Sequence, residues 1–124
     1  GRIIQLNRGS QMMLDPEPII LIITTVDSES DVEKITECFL EKRLAACIQV
    51  DPKIRSYYRW EGKVVSSEEY RMVIKTASSK WPAAKKLLSN IHPYDLPEIT
   101  KIEPVICSKD YAAWVRREAS GELE

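Results

Sequence analysis

The 124-residue chain predicts a mixed α+β domain with its elements in the order β-α-β-β-α-β-α. Three observations predict it. Ile19–Val26 reads IILIITTV, an unbroken β-branched run of the kind found in central strands. Residues 46–60 and 64–76 alternate in character on either side of Glu61-Gly62, a compact turn signal between two strands. Residues 30–44 and 78–91 instead carry apolar side chains at helical spacing.

Each element follows from its residues. The first strand, 19–26, reads as buried on both faces. Asp27 to Ser30 offers helix starts, and Ser30-Asp31-Val32-Glu33 matches a capping box, in which Ser and Glu satisfy orphan N–H groups reciprocally. Val32, Ile35, Phe39 and Leu40 form the apolar stripe of a helix expected to end near Leu44. The second strand places Ile48, Val50, Ile54, Tyr58 and Trp60 in one phase. Pro52 cannot donate to a ladder, so it requires a bend, bulge or edge. The third strand is strongest over 70–76.

The second helix starts with Pro82 in its first turn, where a missing N–H is harmless. Ala84, Leu87, Leu88 and Ile91 form its stripe, and His92-Pro93 ends it, since the residue before proline avoids the helical region. A stiff Pro93-Tyr94-Asp95-Leu96-Pro97 loop leads to a fourth strand over 99–106, which Pro104 makes an edge strand or a broken one. Ser108 caps a last helix bearing Tyr111, Trp114 and Val115, closed by Gly121. This order is the ferredoxin-like split βαβ arrangement with an added C-terminal helix. Residues 1–17 read as a disordered tail or a vector-derived leader, 18–119 as the domain, and 120–124 as a C-terminal tail.

Composition narrows the function. At 44% hydrophobic and 30% charged, the chain is suited to a packed core rather than to disorder. A net charge of -1 argues against a dedicated nucleic-acid binder, which carries a basic excess. No apolar run approaches the roughly 20 residues of a spanning helix. Three cysteines, an odd number without a CxxC, favour a reducing and hence cytoplasmic setting, unless a native targeting segment is missing. An enzyme is not expected: no GxSxG, Walker loop or HExxH is present. The hairpin is too long for so small a sheet, and its outer part exposes aromatic side chains along an edge. Such edges associate, and symmetric closure with further copies of the chain buries them.

Four stretches resemble the CutA family. They are Arg43-Leu44-Ala45-Ala46-Cys47, Tyr58-Arg59-Trp60-Glu61-Gly62-Lys63, Val73-Ile74-Lys75-Thr76 and His92-Pro93-Tyr94-Asp95-Leu96-Pro97-Glu98-Ile99. The resemblance runs from about Ile19 to Arg117. It implies a ferredoxin-like homotrimer, similar to the PII signalling proteins, knitted together by the long hairpins. It also implies a non-enzymatic role in divalent-cation tolerance, with copper as a candidate ion. The family's copper pattern has a Cys late in the first strand and two successive His before Pro-Tyr. Here Thr24 and Ile91 stand at two of those positions, and only His92 matches.

Tyr58, Trp60, Lys75, His92 and Glu98 are the candidate ligand-binding residues, read together as an inter-subunit pocket for a divalent cation or a small anionic ligand. Tyr58 and Trp60 equally suit interface packing. Lys75, in an otherwise apolar strand, needs a carboxylate or an anion if it points inward. Glu98 suits a solvated ion pair with Lys75, Lys101 or Arg59. His92 either closes a helix C-terminus, which favours its imidazolium form, or serves as a ligand. His92 and Cys107 are the candidate metal ligands, while Cys47 and Cys38 read as packing residues. Two functions remain open: a metal-responsive trimer, and a PII-like signalling or scaffold trimer that binds an anionic ligand or a protein partner.

Overall fold

The computed structural model describes residues 16–120 and, ahead of them, the backbone of two short strands, β1 (Ile4–Leu6) and β2 (Met12–Leu14), which pair antiparallel. The rest of the expected tail at 1–15 and the last residues, 121–124, lie outside the described residues. The domain then runs β3 (Ile19–Val26), α1 (Glu29–Glu41), β4 (Cys47–Trp60), β5 (Lys63–Ala77), a 3-10 turn at Ser78–Lys80, α2 (Trp81–Ile91), β6 (Thr100–Val105) and α3 (Lys109–Glu118). The main sheet is antiparallel throughout, in the order β4-β5-β3-β6. The expected α+β order is therefore present, with Ile19–Val26 in the middle and the Pro104 strand at an edge.

The faces of the sheet differ. Ile20, Ile22, Thr24 and Val26 of β3 and Met72, Ile74 and Thr76 of β5 are fully buried on one face. Ile35 and Phe39 of α1 and Ala84 and Leu88 of α2 complete that core. The intervening residues Leu21, Ile23 and Thr25 are only half-buried. They lie on the opposite face, where α3 is the helix that packs on β3 and β5. The expectation that the first strand is buried on both faces thus fails within one chain, because a single short helix cannot cover a sheet face of this size.

Helix starts need a second correction. The N-cap of α1 is Ser28, whose Oγ accepts the Asp31 N–H at 3.2 Å, so the Ser30 capping box is not formed. A side-chain acceptor at the cap needs extended backbone, and Ser28 supplies it (φ -134°, ψ 149°) while Ser30 already lies within the helix. The chain leaves α1 through Arg43, whose φ of 55° is left-handed. Its guanidinium donates to the carbonyls of Arg117 and Ser120 at the end of α3.

The hairpin is the other distinguishing feature. β3 pairs with β5 as far as Val26 opposite Tyr70. Beyond that point Ile54 to Trp60 and Lys63 to Glu69 continue as a two-stranded ribbon. Its ladder shifts between Asp51 and Ile54, so Pro52 and Lys53 form a bulge, as a proline without an N–H requires. Glu61 (φ 50°) and Gly62 (φ 79°) close the tip with two consecutive left-handed residues, matching the twist of the strands. Tyr57 at 72% exposure, Trp60 at 50% and Val64 at 69% are large apolar side chains left to solvent on this ribbon.

Candidate functional site

At the root of the ribbon, where β3 ends and β4–β5 run on, the α2–β6 loop closes one side of a hollow of about 700 Å³. Strand alternation after the bulge sets Ser56, Tyr58 and Trp60 of β4 on one face, opposite Ser67, Val65 and Lys63 of β5. Tyr58 Oη lies 3.3 Å from Ser67 Oγ, a hydrogen bond that ties this wall across the two strands. Thr25 and Asp27 form the floor, and Tyr94, Asp95, Leu96 and Glu98 come from the loop.

The polar centre is a Tyr94–Glu69 pair. Tyr94 Oη donates to Glu69 Oε2 at 2.8 Å. Glu69 is only 7% exposed, and no cation pairs with it among the described residues. Burial, and then the Glu69 carboxylate beside it, push the Tyr94 phenol well above its ordinary pKa, so it stays a donor. Glu98 accepts a hydrogen bond from Thr100 Oγ1 at 2.8 Å. The lining carries four carboxylates (Asp27, Glu69, Asp95, Glu98) and one cation, Arg59. Arg59 alternates with Tyr58 and Trp60 along β4 and lines the hollow with them. This charge balance is unfavourable for the small anion expected from the sequence, since like charges gathered in a concave site repel.

The candidate residues thus separate. Tyr58, Trp60 and Glu98 share the hollow. His92 lies behind it at 8% exposure and closes α2, with its N–H bonded to Leu88. Its Nδ1 accepts the Tyr94 N–H at 3.1 Å, so the proton is on Nε2, which donates to the Thr25 carbonyl at 3.0 Å with Thr24 Oγ1 also at 3.0 Å. Both ring nitrogens are engaged, and the ring meets Tyr94 edge-on at 4.8 Å. Burial lowers the His92 pKa, against the pull of the Thr25 carbonyl and of Asp31, Glu69 and Asp27. The imidazolium expected at a helix end is therefore disfavoured: desolvation outweighs the helix terminus.

Lys75 lies elsewhere, opposite Leu21 in mid-sheet. Its Nζ donates to Tyr111 Oη at 3.3 Å and lies 5.3 Å from the centre of that ring, so α3 supplies its partner rather than a carboxylate. Cys107 follows β6, whose Val105 pairs with Ile19 at the far end of β3 from the hollow. All three cysteines are free. Among the described residues, no three His, Cys, Asp or Glu side chains are placed to hold a metal ion. Sequence reasoning missed Glu69, Asp27, Asp95 and Tyr94. The signals were a glutamate in strand phase with Ser67 and a Tyr-Asp pair inside a proline-bounded loop.

Comparison with known proteins agrees with this fold. The family described as CutA1 divalent ion tolerance protein matches residues 20–118. The divalent-cation tolerance protein CutA of Thermus thermophilus is 36% identical over 100 residues, covering 81% of this chain and 95% of the relative. Human protein CutA is 34% identical over 102 residues, which are 82% of this chain and 57% of the human protein. Among solved structures, CutA1 from Ehrlichia chaffeensis superposes with a TM-score of 0.80 at 30% identity, covering 84% of this chain and 97% of that one. CutA from Synechococcus elongatus gives 0.79 at 34% identity, with 84% and 92% covered.

Proposed function

The chain belongs to the CutA1 divalent ion tolerance family, and from that membership we propose that it works as a non-enzymatic homotrimer in the tolerance of, or response to, divalent cations. The observation that carries the reading is the ribbon beyond Val26, with Tyr57, Trp60 and Val64 exposed on it. An unpaired ribbon bearing large apolar side chains is an association surface. The half-buried face of Leu21 and Ile23 supports the same assembly, since three copies arranged around an axis cover what α3 leaves open.

A resident copper site does not fit the residues of one chain. Copper favours several N or S donors, whereas His92 has both nitrogens engaged and Cys107 lies at the far end of β3. The response we propose runs through the acidic hollow, where carboxylates attract cations by field rather than by a closed coordination shell. The three free thiols support a reducing compartment, for which we take the cytoplasm. Relatives are named periplasmic in Archaeoglobus fulgidus and chloroplastic in Arabidopsis thaliana.

Light scattering with and without copper tests the assembly. A mass near three times 14.2 kDa under both conditions supports a constitutive trimer. A monomer at micromolar concentration refutes it.

A further inference from the structure

We propose that Glu69 of each copy pairs in the assembly with Lys75 of the next copy, so that a neighbouring chain completes the hollow at the root of the hairpin. The inference rests on the trimer proposed above. Alternation along β5 buries Met72, Ile74 and Thr76 on the core face. It turns Glu69, Arg71, Val73 and Lys75 to the opposite face, which the assembly covers. On that face one carboxylate lacks a cation and one cation lacks a carboxylate. Glu69 is 7% exposed, and its one hydrogen bond, from Tyr94, uses Oε2, leaving Oε1 without a partner among the described residues. Lys75 is half-buried opposite Leu21, and its Nζ donates to the neutral Tyr111 phenol at 3.3 Å. That bond uses one of the three donors of an ammonium group. A buried charge with a neutral partner alone is incompletely compensated, and pairing the two completes both.

The two groups cannot meet within one chain, because six residues of strand, roughly 20 Å, separate them. A threefold ring removes that obstacle. Its interfaces are heterologous, so each copy offers one patch to the neighbour on its left and a different patch to the neighbour on its right. A carboxylate at one end of the face and an ammonium at the other then pair once at every interface. The remaining cations on this face of β5 fit less well. Lys63 and Arg71 are exposed and keep their water, and Arg71 stands opposite Asp51 of its own chain. The pair uses only the buried carboxylate. Asp27, Asp95 and Glu98 of the lining are exposed, and they remain for the divalent cations.

Dissociation of the full chain on dilution, followed by analytical ultracentrifugation, tests the pair. Glu69→Gln keeps the acceptor for Tyr94 and removes the charge, and Lys75→Met removes the ammonium. Each raises the dissociation constant by about 30-fold or more, since truncating one member of a buried charge pair strands the other. The double variant falls within about 3-fold of the weaker single variant, not at the product of the two losses. Residues this far apart in one chain act additively, so such coupling arises only between chains. Lys75 lies outside the core, so Lys75→Met keeps the test open if Glu69→Gln misfolds. An unchanged dissociation constant in Lys75→Met, or additive losses in the double variant, overturns the pair and leaves the trimer standing. An unsubstituted chain that is monomeric at micromolar concentration overturns the trimer and the pair together.

Discussion

Tyr94→Phe is the sharpest probe of the site, because it removes one atom. The ring, and with it the edge-on contact to His92 at 4.8 Å, is retained, while the 2.8 Å hydrogen bond to Glu69 is lost. Hydrogen bonds to charged groups contribute about 1.5–3 kcal/mol, and Glu69 at 7% exposure has little water to turn to. We expect a loss of about 2 kcal/mol. In a Glu69→Gln background the acceptor is neutral, so the same change costs roughly half as much. The two substitutions should therefore couple by about 1 kcal/mol in a double-mutant cycle. Guanidinium unfolding followed by far-UV circular dichroism reads the difference, at one fixed protein concentration because assembly shifts the midpoint. A Tyr94→Phe change below about 0.5 kcal/mol, or equal losses in both backgrounds, refutes the pair as the polar centre of the hollow.

Three further outcomes follow from the geometry. Ser28→Ala should cost about 1 kcal/mol in the same assay and Ser30→Ala less than half that, since only Ser28 accepts an orphan helix N–H. Gly62→Ala should cost about 1 kcal/mol from backbone strain alone, because φ is +79° and a Cβ there meets nothing within 4 Å. A loss several times larger would show that the tip is packed in the assembly. Stability should also fall with acid through His92. Its folded pKa lies below the ordinary 6.5, so the unfolded chain binds the extra proton first. The contribution is complete above pH 6.5 and is lost as pH falls from there through the folded value, with a slope of at most about 1.4 kcal/mol per pH unit. It is the only histidine in the chain, so a profile between pH 5 and 7 that is unchanged in His92→Gln would refute the assignment.

Much of the fold was legible because it is local. Ile19–Val26, the Glu61-Gly62 turn, the Pro52 bulge and the edge position of the Pro104 strand all follow from backbone chemistry within a few residues. What was not legible depends on contacts distant in sequence. Ser28 and Ser30 are equivalent cap candidates until the helix entry angle selects Ser28. Lys75 reads as needing an anion until α3, 36 residues on, brings Tyr111 to it. His92 reads as a charged helix cap until Thr25 and the Tyr94 N–H bury both of its nitrogens. Glu69 and Tyr94, 25 residues apart, form a pair only because the proline-bounded loop folds back over the end of the sheet.

The four stretches that carry the family resemblance divide by role in space. Arg43 to Cys47 and Val73 to Thr76 serve the scaffold. Arg43 turns the chain out of α1 and holds the end of α3, and Ile74 and Thr76 are buried in the sheet. The other two, Tyr58 to Lys63 and His92 to Ile99, are separated by the whole of β5 and α2, yet they supply facing walls of one hollow. His92 joins the two roles: its Nε2–H anchors the loop to the end of β3, and its Nδ1 fixes the Tyr94 backbone so that the phenol reaches Glu69. The ring acts as a positioning residue for the hollow. This accounts for a histidine at this place in a site whose own lining is aromatic and acidic.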